Sequence, residues 1–216
     1  MDIPRRNADG VRVTVNYGLD EHETVWHLRS GWNVAALNCL GPDDEQINTA
    51  YGQFLKRFPN GLASANRELD RRYRQQVSST NAAIRLREAQ STRVYNYFAI
   101  PGARTDFCNA ARQIASEFAS YTGDDVKAFA MANLPRLESA FERFFADYER
   151  YEQLSAAWDR EYGAEYGASQ PGYVAVYGAR GSGVAASLLA GQQPSSDGSV
   201  STPIVQPLPN SAIQGE

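Results

Sequence analysis

Residues 11–17, VRVTVNY, alternate: Val11, Val13, Val15 and Tyr17 fall on one side, and Arg12, Thr14 and Asn16 on the other. A period of two predicts a half-buried strand with its apolar side inward, ended by Gly18 and Asp20. From Glu23 the period lengthens. Val25, Trp26, Leu28, Trp32, Ala35, Ala36 and Cys39 recur at helical steps, with Thr24 or Asp20 placed to cap the start and Gly41-Pro42 to stop the helix.

A second helix starts at Asp43 or Asp44 and carries Ile47, Ala50, Tyr51, Phe54, Leu55 and Phe58 on one face, until Pro59-Asn60-Gly61 interrupts it. Leu62, Ala65, Leu69 and Tyr73 resume the pattern within a polar stretch, NRELDRRYRQQ, whose spacing offers i,i+4 pairs such as Glu68–Arg72 and Asp70–Arg74. A break is expected near Ser78–Thr80. Pro101-Gly102 makes a turn, Thr105 or Asp106 caps a helix carrying Phe107, Cys108, Ala111, Ile114, Ala115 and Phe118, and Thr122-Gly123-Asp124 breaks it.

A short helix is then expected through Met131, with Pro135 near the opening of a last long helix from Leu134 to Tyr166. Leu137, Phe141, Phe144, Tyr148, Tyr151, Trp158 and Tyr162 follow each other at helical steps, against a charged face of Glu138, Glu142, Arg143, Asp147, Glu149 and Arg150. Such a stripe is a packing or interaction face. Beyond Tyr166 the composition turns to Gly, Pro, Ser and Gln. Only Tyr173 to Tyr177 reads as β-like, a partner for Val11–Tyr17, and the end reads as a disordered tail.

Composition narrows the function classes. A hydrophobic fraction of 43% supports a real core, whereas a net charge of −4 gives no basic footprint for nucleic acid. No run of apolar residues is long enough to cross a membrane as a helix. The polar start MDIPRRNADG has no apolar signal region, so the chain reads either as cytosolic or as a mature form whose signal has been removed.

The two cysteines admit two readings. They are buried free thiols packing as small hydrophobes, or a disulfide joining the first helix to a later one, which requires an oxidising compartment. Metal ligation and nucleophilic catalysis both lack a histidine partner near either cysteine.

The run Trp26-x-x-Arg29-x-x-x-Asn33-Val34-Ala35-Ala36-Leu37-x-Cys39, followed by Thr92-Arg93-x-Tyr95-Asn96-x-Phe98 and Phe107-Cys108-x-x-Ala111, resembles a group of uncharacterised exported bacterial helical proteins. The likeness covers roughly Glu23 to Arg150. It implies export and a paired Cys39–Cys108, and it implies no activity. With the pairing, Trp26, Trp32, Tyr95 and Phe98 become packing partners at the docking site of the later helical arm. Arg29 and Arg93 would bond helix-end carbonyls or stack on those rings, and Asn33 joins the same structural set.

Other chemistries find little footing. His22 and His27 lack the i,i+4 spacing of a helical metal pair and read as surface or boundary residues. GARGSG, at 178–183, lacks the Lys-Ser/Thr of a phosphate-binding loop and reads as a linker. Asp43-Asp44-Glu45 and Asp124-Asp125 read as helix caps, and Glu161 and Glu165 as an exposed edge.

The sequence therefore predicts a mainly α protein. An N-terminal strand or arm (1–22) leads into an antiparallel helix bundle (23–168), a Gly-rich segment with a short strand (169–190) and a disordered tail (191–216). The expected role is non-catalytic: an exported binding or structural module of the bacterial cell envelope. It needs no cofactor, metal or nucleic acid, and it has an interaction face for a protein partner or a second copy. The alternatives are an envelope hydrolase with a dispersed carboxylate site and a cytosolic helical adaptor with free thiols.

Overall fold

The computed structural model describes residues 3–166; the Tyr173–Tyr177 run, the Gly-rich segment and the tail lie outside them. Six α-helices occur among the described residues: α1 (Glu21–Asn38), α2 (Glu45–Arg57), α3 (Pro59–Gln76), α4 (Thr80–Phe98), α5 (Arg104–Phe118) and α6 (Val126–Tyr166), with a 310 turn at Pro101–Ala103. The chain divides into two compact units, Met1–Gln153 and Leu154–Glu216.

Local chemistry sets most helix ends. Asp20 accepts from the backbone N–H groups of His22 and Glu23, while the Glu23 side chain returns to the Asp20 N–H, a complete capping box. Pro59 opens α3 at a position where its missing N–H costs nothing. Asp125 Oδ1 accepts from the Lys127 N–H at 2.8 Å and starts α6. Three expectations fail here. Asp44 precedes α2 but does not cap it with its side chain. Neither Thr105 nor Asp106 caps α5, because the 310 turn feeds directly into Arg104. And no helix ends at Met131, because α6 runs through Pro135. The proline removes one backbone donor. Buried Phe129, Ala130, Leu134 and Leu137 hold the helix to the core on both sides of it, and Asn133 Nδ2 donates to the Phe129 carbonyl at 2.9 Å.

In the first unit, α1 packs against α2, α3, α4 and α5. Two groups of rings fill the interior. Trp32 lies among Phe54, Phe118 and Phe129, with centroids 5.2–5.9 Å away. Phe98, Phe107 and Phe141 form the other group, with centroids 5.4–5.7 Å apart. Gly31 lets α1 approach the second group. A Cβ there would lie 3.0 Å from Phe98 Cζ.

The strand expected at Val11–Tyr17 is absent. The arm makes one isolated antiparallel bridge, Arg6 to Arg12, and no strand occurs among the described residues. Its backbone bonds are local: Asn7 N–H to the Val11 carbonyl and Val13 N–H to the Arg5 carbonyl, both 2.8 Å. Asn7 Oδ1 accepts from the N–H groups of Asp9 and Val11, and Gly10, at φ 78°, turns the chain. The sidedness is also largely reversed, with Val15 alone of the four apolar residues packed on the core. Val11, Val13 and Tyr17 are about half exposed, while Arg12 is buried.

Candidate functional site

The polar side of the arm meets the acidic face of α6. Glu138, Glu142 and Glu149 share that face by helical spacing. Arg12, whose side chain is fully buried, donates from Nη1 to Glu149 at 2.8 Å and to the Pro4 carbonyl at 2.8 Å, and its Nε lies 3.4 Å from Glu142. Its guanidinium sits 5.2 Å from the Phe145 ring centroid. The contact with Glu149 raises the Arg12 pKa and lowers that of Glu149, so both groups stay charged.

Glu138 is the hub. Its Oε1 accepts from Thr14 Oγ1 at 2.6 Å and from the Tyr97 hydroxyl at 2.8 Å, and its Oε2 accepts from Asn16 Nδ2. Asn16 Oδ1 in turn faces His27 Nδ1 at 2.8 Å. Because the Asn16 amide gives its NH2 to Glu138, its oxygen is left to accept, which places the imidazole proton on Nδ1. Burial pushes Glu138 above the ordinary carboxylate range, although Thr14, Asn16 and Tyr97 each pull it back. Burial and then the Glu138 charge push the Tyr97 phenol up. Burial takes His27 down to about 4. The arm, α1, α4 and α6 thus share one chain of hydrogen bonds. Both Glu138 oxygens are committed to protein donors, so the cluster works as a latch. Sequence reasoning placed Glu138 on the charged face opposite the stripe and His27 at the surface or a boundary; the structure bonds Glu138 into the cluster and buries His27. The available signal was the polar set Arg12, Thr14 and Asn16 on one side of the arm together with the acidic face Glu138, Glu142 and Glu149 of the last helix.

The two cysteines are bonded, Cys39 at the C-cap of α1 to Cys108 in α5. The loop after α1 is fixed to α5 a second time by Asp44. Its Oδ2 accepts from the Gly41 N–H at 2.7 Å and its Oδ1 from Arg112 Nη1 at 2.6 Å. This use of the side chain explains why Asp44 does not cap α2.

The other expected site residues scatter. Trp26 is half-buried, with the guanidinium groups of Arg29 and Arg87 5.0 and 5.4 Å from its ring centroid. Arg29 Nη1 donates to the Tyr95 hydroxyl at 3.0 Å, so it stacks and bonds a side chain rather than a helix-end carbonyl. Asn33 is half-buried, Arg93 is exposed, and Phe98 is buried against Gly31. Trp32 belongs to the ring group around Phe54 rather than with Tyr95 and Phe98. The α6 stripe is not one free face in the first unit. Phe141 is fully buried, Phe144 packs where a Cβ on Gly102 would sit, Tyr148 is half-buried and Tyr151 is exposed. Exposure along the stripe rises from Phe141 to Tyr151. In the second unit the Trp158 and Tyr162 rings lie 5.7 Å apart.

No helix among the described residues is long and apolar enough to cross a membrane, and no group of three or more His, Cys, Asp or Glu residues there could hold a metal ion. Comparison with family models, curated proteins and solved structures finds no match.

Proposed function

We propose that this chain is a non-catalytic binding or structural module of the bacterial cell envelope, an exported antiparallel helix bundle held in shape by its disulfide. The Cys39–Cys108 bond carries the reading, since such bonds persist in oxidising compartments and are rare where thiols are kept reduced. The bond closes a separation of 69 residues, which in the chain-entropy model stabilises the fold by about 4 kcal/mol. The three-residue link at 77–79 joins α3 to α4, which pack against each other, and so short a connection favours antiparallel neighbours. The likeness of the Trp26–Cys39 and Phe107–Cys108 motifs to exported bacterial helical proteins points the same way. A hydrolase would need two carboxylates facing a cleft; of the two acids among the described residues that burial pushes up, Glu138 is filled by Thr14, Asn16 and Tyr97, and Glu23 lines a cavity with no second carboxylate. The test is fractionation of the native host with an antibody to the full chain. Recovery outside the cytoplasm supports the proposal, and recovery in the cytoplasmic fraction overturns it.

A further inference from the structure

Beneath Trp26, between α1, α3 and α4, lies a cavity of about 30 Å³. Its walls are partly polar: Glu23, His27, Ser30, Tyr73, Gln90 and Ser91 line it beside apolar side chains. A space of this size holds one or two water molecules, and a buried water needs two to four polar partners. His27 is 5% exposed, and its Nδ1 is taken by Asn16. The ring therefore has one hydrogen-bonding position left, the lone pair on Nε2. A water in a polar cavity beside such an acceptor gains a partner there.

We propose that this cavity is an internal water site, in which a water molecule donates to His27 Nε2 and is held by the hydroxyl and amide groups of Ser30, Gln90 and Ser91. The site does not depend on the envelope assignment. The water extends the hydrogen-bond chain Tyr97–Glu138–Asn16–His27 to a second place on α4, so that α4 joins the arm latch both at Tyr97 and at Gln90 and Ser91. It also explains why a histidine occupies this buried position: it accepts on one edge while donating on the other, which no apolar side chain does.

Two measurements on the full oxidised chain decide the matter. A crystal structure at high resolution shows ordered density within hydrogen-bond distance of His27 Nε2. Long-range 1H–15N correlation spectra show the Nδ1–H tautomer, with the Nε2 resonance shifted upfield from that of a free lone pair. His27→Phe removes the acceptor, and the density is lost from the cavity. A cavity free of density in the unsubstituted protein, or an Nε2–H tautomer in the spectra, overturns the proposal. Each can be read without the variant, so a misfolded His27→Phe leaves the test intact.

Discussion

Thr14 Oγ1 donates to Glu138 Oε1 at 2.6 Å across 124 residues of sequence, and this bond fastens the N-terminal arm to α6. Glu138 also receives Tyr97 and Asn16, so its removal strands three donors at once. Glu138→Ala is expected to cost about 3 kcal/mol in urea unfolding, and Thr14→Val about 1 kcal/mol. In a double-mutant cycle the two losses are non-additive, because the Thr14 bond is already gone once Glu138 is removed.

Arg12 makes the second attachment. Replacing it by methionine keeps much of the packing on Phe145 but releases Glu149, Glu142 and the Pro4 carbonyl. Glu149 is partly exposed and re-solvates, so the expected cost is about 2 kcal/mol. Hydrogen exchange locates the effect: amides of residues 5–13 lose protection while those of α2 and α5 do not.

The sequence reveals this region only by half. The two-residue period of Val11–Tyr17 is real, but assigning its apolar side to the core largely reverses it. That assignment assumes an apolar partner surface, and the partner is a row of glutamates. Helix boundaries at Gly41-Pro42, Pro59 and Pro101-Gly102 were legible because proline and glycine act locally. Pro135 was misread because the packing of Phe129, Leu134 and Leu137 outweighs its local cost. The burial of His27 and Glu138 depends on contacts more than 100 residues distant for Glu138, which periodicity within one helix does not register.

His27 gives a pH dependence with a definite sign. Unfolded, its ring takes a proton near 6.5; folded, burial holds it neutral down to about 4. Its contribution to stability is complete above about pH 6.5 and is lost as pH falls toward 4, with a limiting slope of about 1.4 kcal/mol per pH unit. Glu138, with its pKa raised, acts in the opposite direction, since the fold accepts its proton more readily than the unfolded chain does. Urea unfolding at a series of pH values should therefore show a steeper acid loss in the unsubstituted protein than in His27→Gln.

Two glycines should respond oppositely to alanine. At Gly31 the new methyl meets the Phe98 ring, which is wedged against Phe107 and Phe141 and cannot retreat. Overpacking of this kind destabilises by about 1–3 kcal/mol. Nothing lies within 4 Å of the corresponding position at Gly52, so Gly52→Ala gains helix propensity, up to about 1 kcal/mol. Thermal unfolding of the two variants, side by side, checks the pair.

The envelope assignment stands on the sulfur–sulfur bond between α1 and α5, and the state of that bond in the cell tests it most directly. Thiols are blocked with an alkylating agent at the moment of lysis, and the protein from its native host is then weighed intact without reductant. The account predicts a mass lacking the hydrogens of the Cys39 and Cys108 thiols, with no alkyl label on either residue. A protein that carries label on both cysteines contradicts it.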